Sequence, residues 1–106
     1  MRQALVLSNN IVAGTLIETD DMHYIFQYDD KYLIDSTLRP ISLAFPKQKE
    51  KFISNELFPF FYNMLSEGAN KSTQCQTLKI DENDSFGLLL ATASIDTIGA
   101  ITIKKL

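Results

Sequence analysis

Apolar and polar positions in the first third of the chain are arranged as in short β-strands. Apolar runs occupy residues 4–7 and 11–17, and Asn9-Asn10 between them is a good turn because Asn tolerates left-handed backbone angles. Residues 24–28 then alternate with a period of two, which is typical of a strand. The apolar stretch Tyr32-Leu33-Ile34 follows as a short return strand. This pattern predicts a β-meander.

Glycine and proline positions refine that prediction. Gly14 lies inside the second apolar run, where it favours a bulge or a close backbone approach. Pro40 and Pro46 bracket residues 41–45, and proline cannot donate to a strand ladder, so we expect an edge strand or an extended crossing there. The polar stretch 47–51 is predicted to be a surface loop.

The middle of the chain changes to a helical pattern. Ser54 or Asn55 is suited to cap a helix that begins near Glu56. Pro59 is tolerated in its first turn because the missing N–H removes no intrahelical bond. Gly68 is a natural end for this helix. The predicted apolar face consists of Leu57, Phe60, Phe61, Met64 and Leu65.

Further helices and a final strand are predicted in the last third. One helix covers residues 70–79 and turns Cys75 and Leu78 inward. The next is capped by Asp84 or Ser85. Residues 98–103 alternate apolar with small or polar side chains and indicate a closing strand. Strands followed by helices and one more strand indicate the α+β class.

Composition and charge narrow the class of protein. A length of 106 residues favours one domain spanning residues 1–106. The formal net charge of −3 disfavours direct nucleic-acid binding, because that function needs clustered positive charge. A lone cysteine suits a reducing compartment, and no apolar run is long enough to span a bilayer. We therefore expect a cytoplasmic protein that contacts neither nucleic acid nor membrane directly.

No catalytic or metal-binding pattern is evident. The four glycines are scattered and form no phosphate-binding loop, and no kinase catalytic motif is present. One His and one Cys cannot supply a structural zinc site. The acidic stretch 81–84 lacks the spacing of a calcium loop and is better explained as a helix cap. Cys75 has no nearby His and is expected to be a buried apolar residue. We expect no enzyme activity, no cofactor and no metal.

Four blocks of the sequence resemble HipA-type toxin kinases. Asn9-Asn10 with residues 12–16 resembles that family's "N-x-x-x-V-G-x-L" strand pair, and residues 24–33 are similar to its "F-x-Y-x-x-x-Y/W-L" stretch. Arg39-Pro40-Ile41-Ser42-Leu43 with Pro46 resembles "R-P-L-S-x-x-x-P", and it is followed by Phe60-Phe61-Tyr62-Asn63-Met64-Leu65-Ser66-Glu67-Gly68, which resembles "F-F-x-N-L-L-P-E-G". The last block comprises residues 86–89 and 96–101.

In those kinases the motifs belong to a small N-terminal subdomain that precedes the catalytic body. The resemblance therefore implies a small antiparallel β-meander or barrel-like sheet packed with about three helices. The chain ends at Leu106, about where the kinase body would follow, and Ser66 stands where the family usually has proline. Both features resemble the small HipS subunits of tripartite HipBST toxin–antitoxin systems. That resemblance implies binding to a HipT-like serine/threonine kinase, and contact with a HipB-like DNA-binding protein through the complex.

A subdomain that is detached from its kinase converts an internal contact into an interface, and interfaces are enriched in aromatic residues and Met. Tyr62 lies off the apolar helical face and is the candidate to plug the kinase cleft near the nucleotide site. For Phe61 a core position is the alternative, and Arg39 has two possible partners, an internal carboxylate or the kinase. The candidate partner-binding residues are Arg39, Phe61, Tyr62, Met64, Ser66 and Glu67.

Three functions fit this pattern. The first is an antitoxin that binds and inhibits the kinase. The second is a non-inhibitory assembly or stabilising subunit that bridges the kinase and the HipB-like protein. The third is an excised piece of a full-length kinase. In vitro phosphorylation separates the first two, because only an inhibitor silences a kinase that it saturates.

Overall fold

The computed structural model describes residues 1–63, 65, 75–81, 83–92 and 101–106. Residues 75–78 are helical as well. The other elements, in chain order, are β1 (Arg2–Ser8), β2 (Ile11–Glu18), β3 (Tyr24–Tyr28), α1 (Asp30–Ile34), β4 (Phe52–Ser54), α2 (Pro59–Tyr62), α3 (Ser85–Thr92) and β5 (Ile101–Lys105).

The strands form one antiparallel sheet in the order β4-β3-β2-β1-β5. β1, β2 and β3 are the predicted meander, and the predicted turn between the first two strands is confirmed. Asn9 and Asn10 have φ angles of 51° and 67°, both in the left-handed region that Asn tolerates. Within the described residues β4 and β5 are the two edges, so the sheet is open and does not close into a barrel. The α+β class is confirmed.

Gly14 marks the irregularity that the sequence predicts in β2. The β1–β2 register shifts between Val6 and Leu7, opposite this glycine. A Cβ at Gly14 would lie 2.3 Å from the backbone oxygen of Gln27 and 3.0 Å from the Phe26 ring. β3 therefore approaches β2 so closely that only glycine fits without a shift of backbone.

The core lies on one face of the sheet, beneath α2 and α3. β3 shows strict alternation of buried and half-buried residues, with Tyr24, Phe26 and Tyr28 pointing into the core. The ring of Phe26 is completely buried, and its centroid lies 5.0 Å from the Phe45 ring and 5.8 Å from the Phe61 ring. Aromatic burial on this scale supplies much of the stability of a small domain.

Two predicted extended segments have other structures. Residues 32–34 belong to helix α1, so the predicted return strand is wrong. Asp29 caps this helix by accepting a hydrogen bond from the backbone N–H of Lys31, at 3.1 Å. That local bond outcompetes pairing in the sheet. Residues 41–45, predicted to be an edge strand or an extended crossing, form a tight turn with a bridge between Ser42 and Phe45.

The predicted helix near Glu56 is wrong in its start. Residues 52–54 form the edge strand β4, and the helix begins only at Pro59, with Phe58 at its N-cap. Ser54 accepts a hydrogen bond from the N–H of Glu56, which forms a turn in place of a helix cap. β4 was missed because Phe52 and Ile53 stand between charged and polar residues and show no long alternating run.

The last third matches its prediction in several places. Cys75 is buried, whereas Leu78 is 43% exposed and so does not face inward as predicted. Asp84 caps α3 through the N–H of Gly87, at 3.1 Å, as expected. The closing strand is confirmed over Ile101–Lys105. Residues 70–74 and 98–100 of the predicted elements lie outside the described residues.

Candidate partner-binding site

The predicted partner-binding residues fall into three groups. Phe61 and Tyr62 lie on α2, and Arg39 lies in the loop that joins α1 to β4. Met64, Ser66 and Glu67 lie outside the described residues. The site is therefore described from α2 and from the Arg39 loop.

Phe61 is a core residue. Its side chain is completely buried, and its ring lies 5.2 Å from that of Phe60 and 5.6 Å from that of Phe45. The sequence left Phe61 open as a partner contact or as a core residue, and in the structure it lies in the core. Its side chain holds α2 against the sheet and offers no surface to a partner.

Tyr62 is the last residue of α2 and is 45% exposed. The short helix is held by backbone bonds from the N–H groups of Phe61 and Tyr62 to the carbonyl of Phe58, at 3.0 and 2.9 Å. Pro59 at its first turn fixes the entry angle. Tyr62 also lines a surface cavity of about 310 Å³, whose other lining residues are Glu56, Leu57, Pro59, Asn63 and Ser85. The ring is thus held on a short, anchored helix beside a depression.

The Arg39 loop is fastened to the core by two tyrosines. The Tyr32 hydroxyl donates to the backbone oxygen of Arg39, and the Tyr28 hydroxyl accepts from the N–H of Ile41 at 3.1 Å. The Tyr28 hydroxyl also donates to the backbone oxygen of Phe45. Burial raises the pKa of Tyr28, so its hydroxyl keeps its proton for this bond at neutral pH.

A lysine and an aspartate complete the anchoring of this loop. The Lys47 ammonium donates to the backbone oxygens of Asp35 and Leu38, at 2.8 and 2.9 Å. The Asp35 carboxylate accepts from both the N–H and the hydroxyl of Thr37. These bonds to Thr37 lower the pKa of Asp35. The carboxylate closest to Arg39 in sequence is therefore engaged elsewhere.

The Arg39 side chain is exposed, and no carboxylate of the described residues lies within ion-pair distance of it. It lines a cleft of about 480 Å³. We call this the Arg39 cleft; the other described residues that line it are Ser8, Asn9, Ile11, Tyr32, Thr37, Leu38, Pro40, Ile41, Phe60 and Ile101. Arg39 is the one charged residue among them. The cleft thus has a cationic rim and mostly apolar walls.

Sequence reasoning identified Arg39 but missed the cleft. Its walls come from the β1–β2 turn, α1, the loop that follows α1, α2 and the start of β5, so they are far apart in the chain. No local pattern signals such a site. Arg39 and Tyr62 line two different cavities among those described. Phe60 lies on the same helix as Tyr62 and lines the Arg39 cleft.

The other arginine, Arg2, differs from Arg39 because it is paired with carboxylates. Arg2 donates to Glu18 at 2.9 Å and, through both terminal nitrogens, to Asp84 at 3.0 and 2.7 Å. Glu18 also accepts from the Tyr24 hydroxyl at 3.1 Å. The Arg2 hydrogen bond lowers the pKa of Asp84, and burial followed by the Glu18 hydrogen bond raises the pKa of Tyr24. We call Arg2, Glu18, Tyr24 and Asp84 the Arg2 cluster.

Other candidate chemistry is sparse in the part of the chain that the structure describes. The described residues contain no group of three or more His, Cys, Asp or Glu side chains placed to hold a metal ion. The Cys75 thiol is free and buried. His23 contacts Asp21 at 3.2 Å near the β2–β3 turn. No helix in the described ranges is both long and apolar enough to cross a membrane.

Comparison with known proteins gives consistent matches. A family model described as HipA N-terminal domain matches residues 4–104. The solved N-terminal domain of HipA toxin superposes with a TM-score of 0.75 and 29% sequence identity, covering 100% of this chain and 93% of that one. An uncharacterized protein of Haemophilus influenzae is 32% identical over 90 residues, which are 85% of this chain and 80% of that protein.

A fourth match is to a much longer protein. The putative kinase Y4mE of Sinorhizobium fredii is 33% identical over 64 residues, which are 60% of this chain and 15% of the kinase. This chain therefore corresponds to a small part of that kinase. The resemblance to HipA N-terminal subdomains that the sequence motifs indicate is confirmed by these matches.

Proposed function

The chain belongs to the HipA N-terminal domain family, and from that premise we propose that it is an antitoxin that binds and inhibits a HipT-like serine/threonine kinase. In this proposal it resembles HipS subunits and reaches a HipB-like DNA-binding protein only through the complex. The lone thiol of Cys75 suits the reducing cytoplasm as the place of action.

One observation carries this proposal: the whole chain superposes on the N-terminal domain of HipA toxin, which is a non-catalytic subdomain. Such a subdomain acts on phosphotransfer through its contacts with the catalytic body. The match of 64 residues to 15% of a putative kinase supports the same relation between a small domain and a larger enzyme. Surfaces that pack together within one chain retain their complementarity when they meet as two chains.

Tyr62 is the side chain that we assign to the kinase cleft. Its 45% exposure at the end of a helix anchored by Phe61 gives a large aromatic group on a rigid support. Tyr and Trp are enriched among residues that dominate binding energy, because they bury much area at low entropic cost. Met64, Ser66 and Glu67 lie two to five positions after Tyr62, and we include them in the proposed contact.

Co-expression tests the proposal in cells. A HipT-like kinase that arrests growth is expressed with this chain from separate promoters, and growth and co-purification are measured. We expect restored growth and a stable complex. Continued arrest without any co-purification excludes the antitoxin role, whereas continued arrest with a stable complex assigns the alternative role of an assembly subunit.

Tyr62→Ala tests the assigned contact. We expect at least tenfold weaker kinase binding with a nearly unchanged melting temperature, because a half-exposed ring contributes little to the core. Leu78→Ala is the matched control, since Leu78 is an apolar residue of similar exposure, 43%, on another helix. Equal affinities of Tyr62→Ala and the native chain remove Tyr62 from the interface.

A further inference from the structure

We propose that the Arg39 cleft is the docking site for an acidic segment of the kinase. A carboxylate of that segment pairs with the Arg39 guanidinium, and a neighbouring apolar side chain fills the cleft. This inference rests on the proposed function, because it takes the kinase as the occupant. It adds a second contact, distinct from Tyr62, and states the chemistry of the partner.

The availability of Arg39 is unusual for this chain. Acidic residues outnumber basic ones, 13 Asp+Glu against 10 Lys+Arg, yet no described carboxylate pairs with this guanidinium. Guanidinium presents a planar fork of donors that matches a carboxylate in bidentate geometry. Apolar walls beside the fork exclude water once a partner is seated, which strengthens the charge pair. A carboxylate of the partner therefore suits this site.

The cleft is organised before any partner arrives. The Tyr32 hydroxyl holds the Arg39 backbone, the Tyr28 hydroxyl holds Ile41, and Lys47 holds Leu38. Backbone entropy in this loop is therefore already lost on folding. The entropy lost on binding is smaller when the site is already rigid, so less of the affinity from the Arg39 contact is offset by ordering of the loop.

The apolar walls of the cleft suit an apolar side chain of the partner segment, beside its carboxylate. Ile11 is 45% exposed, and it lines the cleft together with Phe60 and Ile101. A volume of about 480 Å³ lies in the range of sites that enclose small groups or a few side chains. Thr37 and Asn9 are polar residues in the lining of the cleft. The fitting segment therefore carries an acidic residue next to an apolar one.

The position of the cleft favours the kinase over a second copy of this chain. Helix α2 carries Phe60 in the cleft and Tyr62 in the neighbouring cavity. A partner that is seated over α2 consequently reaches both sites, which makes the Arg39 cleft continuous with the proposed interface.

The test measures the affinity of the full chain for the purified HipT-like kinase by calorimetry. We expect Arg39→Gln to weaken binding roughly 10- to 100-fold, as for removal of one partner of a desolvated charge pair. Arg39→Lys should recover only part of the affinity, because an ammonium lacks the bidentate fork. Lys51→Gln is the control, since Lys51 is an exposed cation next to β4, an edge strand of the described sheet. The affinity of the Lys51→Gln variant for the kinase should change less than twofold.

A charge exchange identifies the carboxylate. Arg39→Glu is combined with kinase variants in which single surface Asp or Glu residues become Arg, and we expect one variant to restore binding. Raising the salt concentration should weaken the native complex more than the Arg39→Gln complex, because the charge pair is screened.

The outcomes separate this inference from the proposed function. Tight binding of the native chain with unchanged affinity for Arg39→Gln overturns the cleft assignment and leaves kinase binding intact. Failure of the native chain to bind overturns both. A dimer of this chain that Arg39→Gln abolishes in sedimentation, with unchanged kinase affinity, assigns the cleft to a second copy and overturns the inference. Phosphate binding that requires Arg39, with unchanged kinase affinity, overturns it in favour of a free anion.

Discussion

The two arginines of this chain occupy opposite chemical environments. Arg2 is half-buried, its guanidinium donates to Glu18 and to both oxygens of Asp84, and it lies 5.2 Å from the centre of the Phe86 ring. Arg39 is exposed, and no carboxylate of the described residues pairs with it. In the Arg39 loop the backbone is held and the charged side chain is left available.

This difference is what we expect between a residue that stabilises the fold and the recognition role that we propose for Arg39. The Arg2 cluster joins residues 82 positions apart and links the start of β1 to the start of α3. Its charged groups are paired with one another, so we expect it to contribute mainly to folding. In the Arg39 cleft the tyrosines contribute to folding, whereas the guanidinium of Arg39 pairs with no carboxylate among the described residues.

The largest expected effect is on stability and distinguishes the two arginines directly. Arg2→Met should lower the free energy of unfolding by roughly 2 kcal/mol, because Glu18 and Asp84 lose their cation while partly buried. Arg39→Met should change it by less than about 0.5 kcal/mol. Urea denaturation measures both values. A larger loss for Arg39→Met would show that Arg39, too, is mainly structural.

Two tyrosine variants test the same comparison through smaller losses of stability. Tyr24→Phe removes the hydroxyl bound to Glu18, and Tyr32→Phe removes the hydroxyl bound to the Arg39 backbone. Each should lower stability by about 1 kcal/mol, the net value of one hydrogen bond. Only Tyr32→Phe should also weaken kinase binding, because it loosens the cleft. Equal affinities for the two variants would mean that loop rigidity does not matter for docking.

The smallest effect is on the pH dependence of stability. The Arg2 hydrogen bond lowers the pKa of Asp84 in the folded state below the ordinary 3.8. Its contribution is therefore complete above pH 3.8 and is lost as the pH falls through the lowered value. Solvent screens this partly exposed pair, so we expect about 1 kcal/mol or less. Thermal unfolding of the native chain between neutral and acidic pH should show this loss, and Asp84→Asn should reduce it; identical profiles would contradict the assignment.

Local signals in the sequence predicted local structure well. The Asn9-Asn10 turn, the alternation over Tyr24–Tyr28 and the Asp84 cap are short-range features, and all three are confirmed. Residues 32–34 were misassigned because three apolar residues fit a strand or a helix turn equally well, and the Asp29 cap decided the outcome. Periodicity is ambiguous at that length.

Features that depend on distant residues were beyond sequence reasoning. The Arg2–Asp84 pair joins residues 82 positions apart, and the Arg39 cleft has walls from five segments. For Arg39 the sequence left two partners open, an internal carboxylate or the kinase, because pairing depends on which carboxylates the fold brings near. Among the described residues the fold brings no carboxylate to Arg39, and our proposal takes the kinase as its partner.

Phosphotransfer by the kinase in the presence of this chain tests the central claim most directly. The kinase is held well above the dissociation constant, the chain is added in steps, and complex formation and phosphate transfer from ATP are measured in the same samples. The account predicts that activity falls in proportion to the complex and reaches background at one equivalent. A kinase that is saturated with this chain and still fully active would contradict it.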